Sequence, residues 1–124
     1  MIPLELRSRL CYLTPAGAHG ASLHRLVDAA VRGGCGLVRY DGGTRSTREM
    51  VEDAIAVVRA SRRAGVPCLI DHRADVALAA TADGVHLTAE DMPVAMARRL
   101  LGPRALIGVA VQSVADAREA ERQG

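Results

Sequence analysis

Apolar residues recur along the chain in one rhythm: a short apolar run, a turn, then an amphipathic stretch. Leu10-Cys11-Tyr12-Leu13 is the first run. After the loop from Thr14 to Gly20, Ser22 offers an N-cap, and Leu23, Leu26, Val27, Ala30 and Val31 fall on one helical face closed by Gly33-Gly34. The second run, Cys35 to Tyr40, ends at Asp41-Gly42-Gly43, which is loop chemistry. Ser46-Thr47-Arg48-Glu49 forms a capping box, and Met50, Val51, Ile55 and Val58 carry a helix to Gly65. The third run spans Pro67 to Ile70 and leads through Asp71-His72-Arg73 into a short alanine-rich helix from Asp75 to Ala82. Gly84-Val85-His86-Leu87 is the fourth strand. Pro93 suits the first turn of a helix bearing Val94, Ala97, Leu100 and Leu101 up to Gly102. Ala105 to Val111 is the fifth strand, and Ser113 caps a last helix.

Five successive β-α units predict an α/β fold with a parallel sheet covered by helices. The strands read as nearly continuous apolar runs, the pattern of strands buried on both faces. No linker or shift in composition divides the chain, so residues 1–124 form a single domain.

Composition narrows the chemistry. The chain has 124 residues, 49% of them hydrophobic, with 16 basic and 14 acidic side chains and a net charge of +2. Every basic residue is arginine. Without lysine, Schiff-base catalysis and P-loop phosphate binding are excluded. With Tyr12 and Tyr40 as the only aromatic rings outside histidine, stacking on single-stranded nucleic acid is excluded too. The arginines are scattered, with short pairs such as Arg62-Arg63 and Arg98-Arg99, rather than gathered into a nucleic-acid footprint. Cys11, Cys35 and Cys68 have no metal spacing and read as reduced, small, buried residues of a cytoplasmic protein. The N-terminal MIPLELRSRL lacks the apolar core of a signal peptide, and no run is long enough to span a membrane.

In parallel β-α architectures, reactive groups gather where strands end and helices begin. Strand two ends at Asp41, strand three at Asp71-His72-Arg73, and strand four leads into Thr88-Ala89-Glu90-Asp91. These carboxylates either hold Mg²⁺, which takes one or two carboxylates plus phosphate oxygens, or serve as helix N-terminal caps, as Asp75, Glu90 and Asp91 are placed to do. Arg39 lies within an apolar strand on the face of Leu37 and Asp41. It must pair with Asp41 or Asp71, or reach an anion. His72 is a candidate acid, base or ligand. His86 reads as a satisfied core histidine, and His19 and His24 as loop and surface residues.

The stretch beginning at Pro67, PCLIDHRADVALAATADGVHLTAEDMP, resembles the thiamine phosphate synthase family, which includes the related thiazole tautomerases. That family has an Asn-Asp-Arg-x-Asp motif at its third strand, followed by Ala-Asp-Gly-Val-His-Leu-Gly-Gln-x-Asp. Thr47-Arg48-Glu49, Leu101-Gly102 and Leu106-Ile107-Gly108-Val109 agree in the same register, so the resemblance covers essentially the whole chain. It implies a TIM-type (β/α)8 barrel, of which these five consecutive β-α units are an incomplete part. It also implies a place in thiamine biosynthesis: joining hydroxymethylpyrimidine diphosphate to a thiazole phosphate, with release of pyrophosphate and with Mg²⁺ as cofactor. Arg39, Asp71 and Arg73 would then bind substrate, Asp91 with Asp71 would hold the metal, and His72 would act in catalysis. The chain departs from the pattern in places. Asp71 stands where the family has asparagine, His72 where it has a metal aspartate, and Arg39-Tyr40-Asp41-Gly42-Gly43 where it has Gln-x-Arg-Glu-Lys. Two other readings remain open on the residues. One is a non-catalytic binding or assembly module that covers its open sheet edges with a partner or a second copy. The other is a tautomerase-like isomerase with His72 as base.

Overall fold

The computed structural model describes residues 8–124. The expectation about a leader in the first ten residues therefore falls mostly outside the described residues. The elements alternate strictly: β1 (Cys11–Leu13), α1 (Gly20–Arg32), β2 (Leu37–Tyr40), α2 (Thr47–Arg63), β3 (Cys68–Asp71), α3 (Ala74–Ala79), β4 (Gly84–Leu87), α4 (Val94–Leu101), β5 (Leu106–Val109) and α5 (Val114–Gln123). The strands form one sheet in the order β1-β2-β3-β4-β5, every pair parallel. Each crossover thus moves one strand in the same direction. With right-handed crossovers, this puts every helix on one face of the sheet. That is the barrel-type winding; a doubly wound sheet would reverse its strand order. Neighbouring helices pack in the same succession, α1 on α2, α2 on α3, α3 on α4 and α4 on α5.

Strand alternation sorts the side chains. Val38 and Tyr40, Cys68 and Ile70, and Val85 and Leu87 point to the helices and meet Leu23 and Val27, Ala54, Val57 and Val58, Val76 and Ala77, and Val94 and Ala97. This is the hydrophobic core. The other set, Leu13, Leu37, Arg39, Leu69, Asp71, His86 and Gly108, lies on the face that carries no helices. Burial on both faces therefore holds for β3 alone. The edge strand β1 is largely exposed, with Leu13 at 52%, and β5 is only half-buried. The apolar run predicted the strands but not which faces would be covered.

Local chemistry explains the element ends. The Ser46–Glu49 capping box is complete: the Glu49 N–H donates to Ser46 Oγ at 3.2 Å, and the Ser46 N–H donates to Glu49 Oε2 at 3.0 Å. Ser113 caps α5 by accepting from the Asp116 N–H. Ser22 does not cap α1. The helix begins at Gly20, and the Ser22 hydroxyl donates back to the His19 carbonyl. The Gly20 N–H is met instead by Asp53 Oδ1 of α2, a tertiary cap that local sequence does not show. Helix α3 is shorter than its alanine run because Thr81 turns left-handed, at φ 51. The Ala82 N–H then bonds back to Ala77 O and the Thr81 N–H to Leu78 O, a Schellman closure made without glycine. Pro93 sits just outside α4 as its N-cap residue. Cys35 and Cys68 are buried as expected, whereas Cys11 is exposed because it lies on the edge strand; none of the three is in a disulfide. No helix among the described residues is long and apolar enough to cross a membrane.

Candidate active site at the strand C-termini

Strands β2, β3 and β4 deliver their polar residues to one mouth, at the C-terminal edge of the helix-free face. From β2, Arg39 extends across to β3, where Nε donates to Asp71 Oδ1 at 2.9 Å and Nη2 to Asp71 Oδ2 at 3.0 Å. Asp71 is only 6% exposed and Arg39 20%, so this is a largely buried bidentate pair. Of the two ion pairs the sequence allowed, Arg39–Asp71 forms. Asp41 follows β2. Its N–H donates to Thr14 Oγ1, and its Oδ1 accepts from the Gly43 N–H at 2.9 Å, in a turn that Gly43 closes at φ 60.

His72 follows β3 with φ 68, a left-handed conformation uncommon for a residue with a side chain. Its backbone N–H donates to the His86 carbonyl of β4. Its Nδ1 lies 2.7 Å from Asp91 Oδ2. The same carboxylate oxygen accepts from the Thr88 N–H at 2.8 Å and from Thr88 Oγ1 at 2.9 Å. The hydrogen bond to Asp91 raises the His72 pKa above its usual value, against the effect of burial. Burial pushes the Asp91 carboxyl up, but its bonds to His72 and Thr88 outweigh this and hold it below the usual carboxylate range. Asp91 therefore belongs to the β4–α4 loop and orients His72. No acidic residue lies in the first turn of α4, so Glu90 and Asp91 are not its caps. Asp75 does lie in the first turn of α3.

Arg73 points away from the mouth toward α2. Its Nε and Nη2 pair with Asp75 at 2.9 and 2.7 Å, and Nη2 also donates to Thr47 Oγ1. His86 is not a satisfied core histidine: its Nδ1 is buried with no hydrogen-bond partner among the described residues. Burial, aided by the Arg39 charge, lowers its pKa. Its ring lies against β5, where a Cβ at Gly108 would come within 2.7 Å of His86 Cδ2. His19 and His24 are exposed, as expected.

One ligand atom from each of Asp41, Asp71 and His72 converges within 4.8 Å of the others. Two of these residues are carboxylates, so the donor set fits a hard divalent cation such as Mg²⁺. Sequence reasoning named all three residues at strand ends. It missed Thr14 and Thr88, whose hydroxyls fix Asp41 and Asp91. For Thr88 a signal was present, since Thr-x-x-Asp is a local hydrogen-bonding spacing.

A consecutively wound parallel sheet with polar and ionisable groups at its strand C-termini defines a barrel-type α/β unit whose chemistry sits at the top of the strands. The comparisons make the class specific. The family described as thiamine monophosphate synthase matches residues 10–124. The thiamine-phosphate synthase of Chloroflexus aurantiacus is 45% identical over 117 residues, covering 94% of this chain and 54% of that protein. That of Agrobacterium fabrum is 48% identical over 100 residues, covering 81% of this chain and 46% of the relative. In structure, the chain is similar to thiamine phosphate pyrophosphorylase from Pyrococcus furiosus, with TM-score 0.83 and 34% identity, covering 93% of this chain and 55% of that one. The chain belongs to the thiamine monophosphate synthase family. It spans about half the length of the curated relatives it matches.

Proposed function

We propose that this chain forms the β1–β5 part of a thiamine phosphate synthase and that its strand-end mouth binds hydroxymethylpyrimidine diphosphate for coupling to a thiazole phosphate. The observation that supports this most directly is the gathering of Arg39, Asp41, Asp71, His72 and Asp91 at adjoining strand ends in a chain of that family. The reaction breaks the bond between the pyrimidine methylene carbon and the diphosphate oxygen, so negative charge builds on the departing pyrophosphate. Groups that meet that charge lower the barrier. Arg39 is held rigid by Asp71 through Nε and Nη2, which leaves Nη1 to meet a phosphate oxygen. Arg73, turned to Asp75 and Thr47 on the α2 side, stands outside this mouth. Asp71 orients Arg39, and Asp91 orients the His72 ring. Bound Mg²⁺, held by the carboxylates of Asp71 and Asp41, with Asp91 behind His72, would neutralise phosphate charge.

Strands β1 and β5 are the two edges of the sheet. In the working barrel these edges pair with further parallel strands, and the protein acts in the cytoplasm. The direct test is incubation of the chain with both substrates and Mg²⁺, with thiamine phosphate and pyrophosphate quantified together. Equimolar release of the two supports the proposal; neither product, under conditions where a full-length relative turns over, refutes it. Sedimentation tests edge pairing: a reversible assembly is expected, and a strictly monomeric chain contradicts it.

A further inference from the structure

We infer that the end of the fold opposite the mouth, around the cleft between α3 and α4, docks an acidic segment of another protein that also offers an apolar side chain. This surface depends on the fold alone and stands whether or not the mouth binds diphosphate.

The winding gathers arginines that are scattered in sequence. Each helix runs back against its strand, so the helix C-termini and the loops after them lie together at the end where the strands begin. Arg62 and Arg63 occupy the last turn of α2, Arg98 and Arg99 the last turn of α4, and Arg104 follows in the α4–β5 loop. Arg98 is consumed internally. Its Nη1 donates to the Gly102 and Ala105 carbonyls at 3.0 and 2.6 Å and its Nε to the Gly124 carbonyl, which fixes the loop bearing Arg104. Arg62, Arg63, Arg99 and Arg104 are exposed, and none has a carboxylate partner among the described residues. Asp83 is the one carboxylate lining the cleft, and its Oδ2 accepts from the Cys68 N–H at 2.8 Å. Attraction to the helix dipole accounts for arginines in the last turns of α2 and α4. It does not account for Arg104, which lies beyond α4 and lines the cleft.

Between these cations lies an apolar cleft of about 340 Å³. Ala77, Leu78 and Ala82 come from the α3 side, and Leu101 and Ala105 from the α4 side; Leu78 is 50% exposed. Thr81 lines the cleft in its left-handed turn, and its carbonyl accepts from Arg62 Nη2 at 2.8 Å, which brings the α2 guanidinium to the rim. The order of charge, apolar cleft and charge selects the partner. Helices α2, α3 and α4 pack as successive neighbours. At about 8–10 Å between neighbouring axes, Arg63 and Arg99 stand roughly 16–20 Å apart on either side of α3. That is the length of about five or six extended residues at roughly 3.3 Å each, more than a single small anion spans. A sugar–phosphate backbone would meet the arginines and leave the apolar cleft unfilled. A leucine flanked by glutamates fills the cleft and pairs with guanidinium groups on both sides.

The test is fluorescence anisotropy of the whole chain with a short labelled peptide that carries glutamates on both sides of one leucine. The controls replace every glutamate by glutamine, or the leucine by serine, or use an oligothymidylate of equal charge. Saturable binding of the acidic peptide is expected, weakened at least about tenfold by the glutamine exchange and about fivefold by the serine exchange. The double variant Arg99→Gln/Arg104→Gln should weaken it at least about fivefold, and Leu78→Ser should remove the preference for leucine over serine. All three positions are exposed, so the fold is retained, and circular dichroism verifies it. Amide shifts in a parallel NMR titration should centre on residues 77–83 and 99–105. No saturable binding, equal binding of the glutamine peptide, oligothymidylate binding at least as tight, shifts centred on the mouth, or an affinity that the arginine variant leaves unchanged would each overturn the inference.

Discussion

Replacing Arg39 by methionine isolates the most consequential contact in the mouth. The substitution keeps a long apolar stem but removes both hydrogen bonds to Asp71. It leaves a carboxylate that is 6% exposed with no cation beside it. Breaking a buried ion pair by deleting one partner costs about 3–5 kcal/mol. Arg39 keeps 20% exposure on the helix-free face, so water screens the orphaned charge and the expected cost is about 2–3 kcal/mol. Asp71→Leu leaves the more exposed partner unpaired and should cost less, about 1–2 kcal/mol. The double variant Arg39→Met/Asp71→Leu removes both charges. It should be more stable than the sum of the single effects predicts, by roughly 1.5–2 kcal/mol. Urea unfolding followed by circular dichroism measures all four proteins. At about 1–3 kcal/mol per molar urea, the Arg39→Met midpoint should drop by roughly 0.7–3 M. A drop below about 0.3 M by the same conversion, or strict additivity in the double variant, would show that the pair is solvated and that Asp71 does not hold Arg39 in place.

Ser46→Ala removes the serine half of a complete capping box and should destabilise the chain by about 1 kcal/mol in the same urea assay; an unchanged midpoint would mean the α2 terminus frays. A thiol reagent should label Cys11 in the folded chain and reach Cys35 and Cys68 only on unfolding. Burial pushes the Cys68 thiol up to about 12, so rapid native labelling there would contradict the core assignment. The His86 pKa is lowered in the fold, so its neutral form is the one the fold favours. Its contribution to stability is present above about pH 6.5, the unfolded value, and is lost as pH falls through the folded value. A proton NMR titration should place the His86 midpoint below 6.5; a midpoint at or above that value refutes the desolvated setting against Gly108.

Much of the fold was legible because it rests on local signals. The run from Gly84 to Leu87 is β4 to the residue, and Ser46, Ser113, Gly33 and Gly65 end or begin helices where turn chemistry says they should. What escaped is tertiary. Ser22 looks like a cap, but the first free N–H of α1 goes to Asp53, 33 residues away. Thr81 stops α3 with a left-handed turn that threonine does not advertise. Cys11 looks like a core residue, yet edge position exposes it. The strand-end residues of the site were legible too, because β-α alternation says where strands stop. Their partnerships were not. That Arg39 takes Asp71, that Arg73 turns to Asp75, and that Asp91 supports His72 all depend on strand register and loop path.

Binding of the diphosphate at the ends of β2, β3 and β4 is the core of the proposed function. Its most direct test is an NMR titration of the nitrogen-labelled chain with hydroxymethylpyrimidine diphosphate in the presence of a divalent cation. Saturable shifts concentrated at the amides of Asp41, Gly43, His72, Thr88 and Asp91 are expected. No saturable shift, or shifts centred on the residues of β5 and α5 instead, would contradict it.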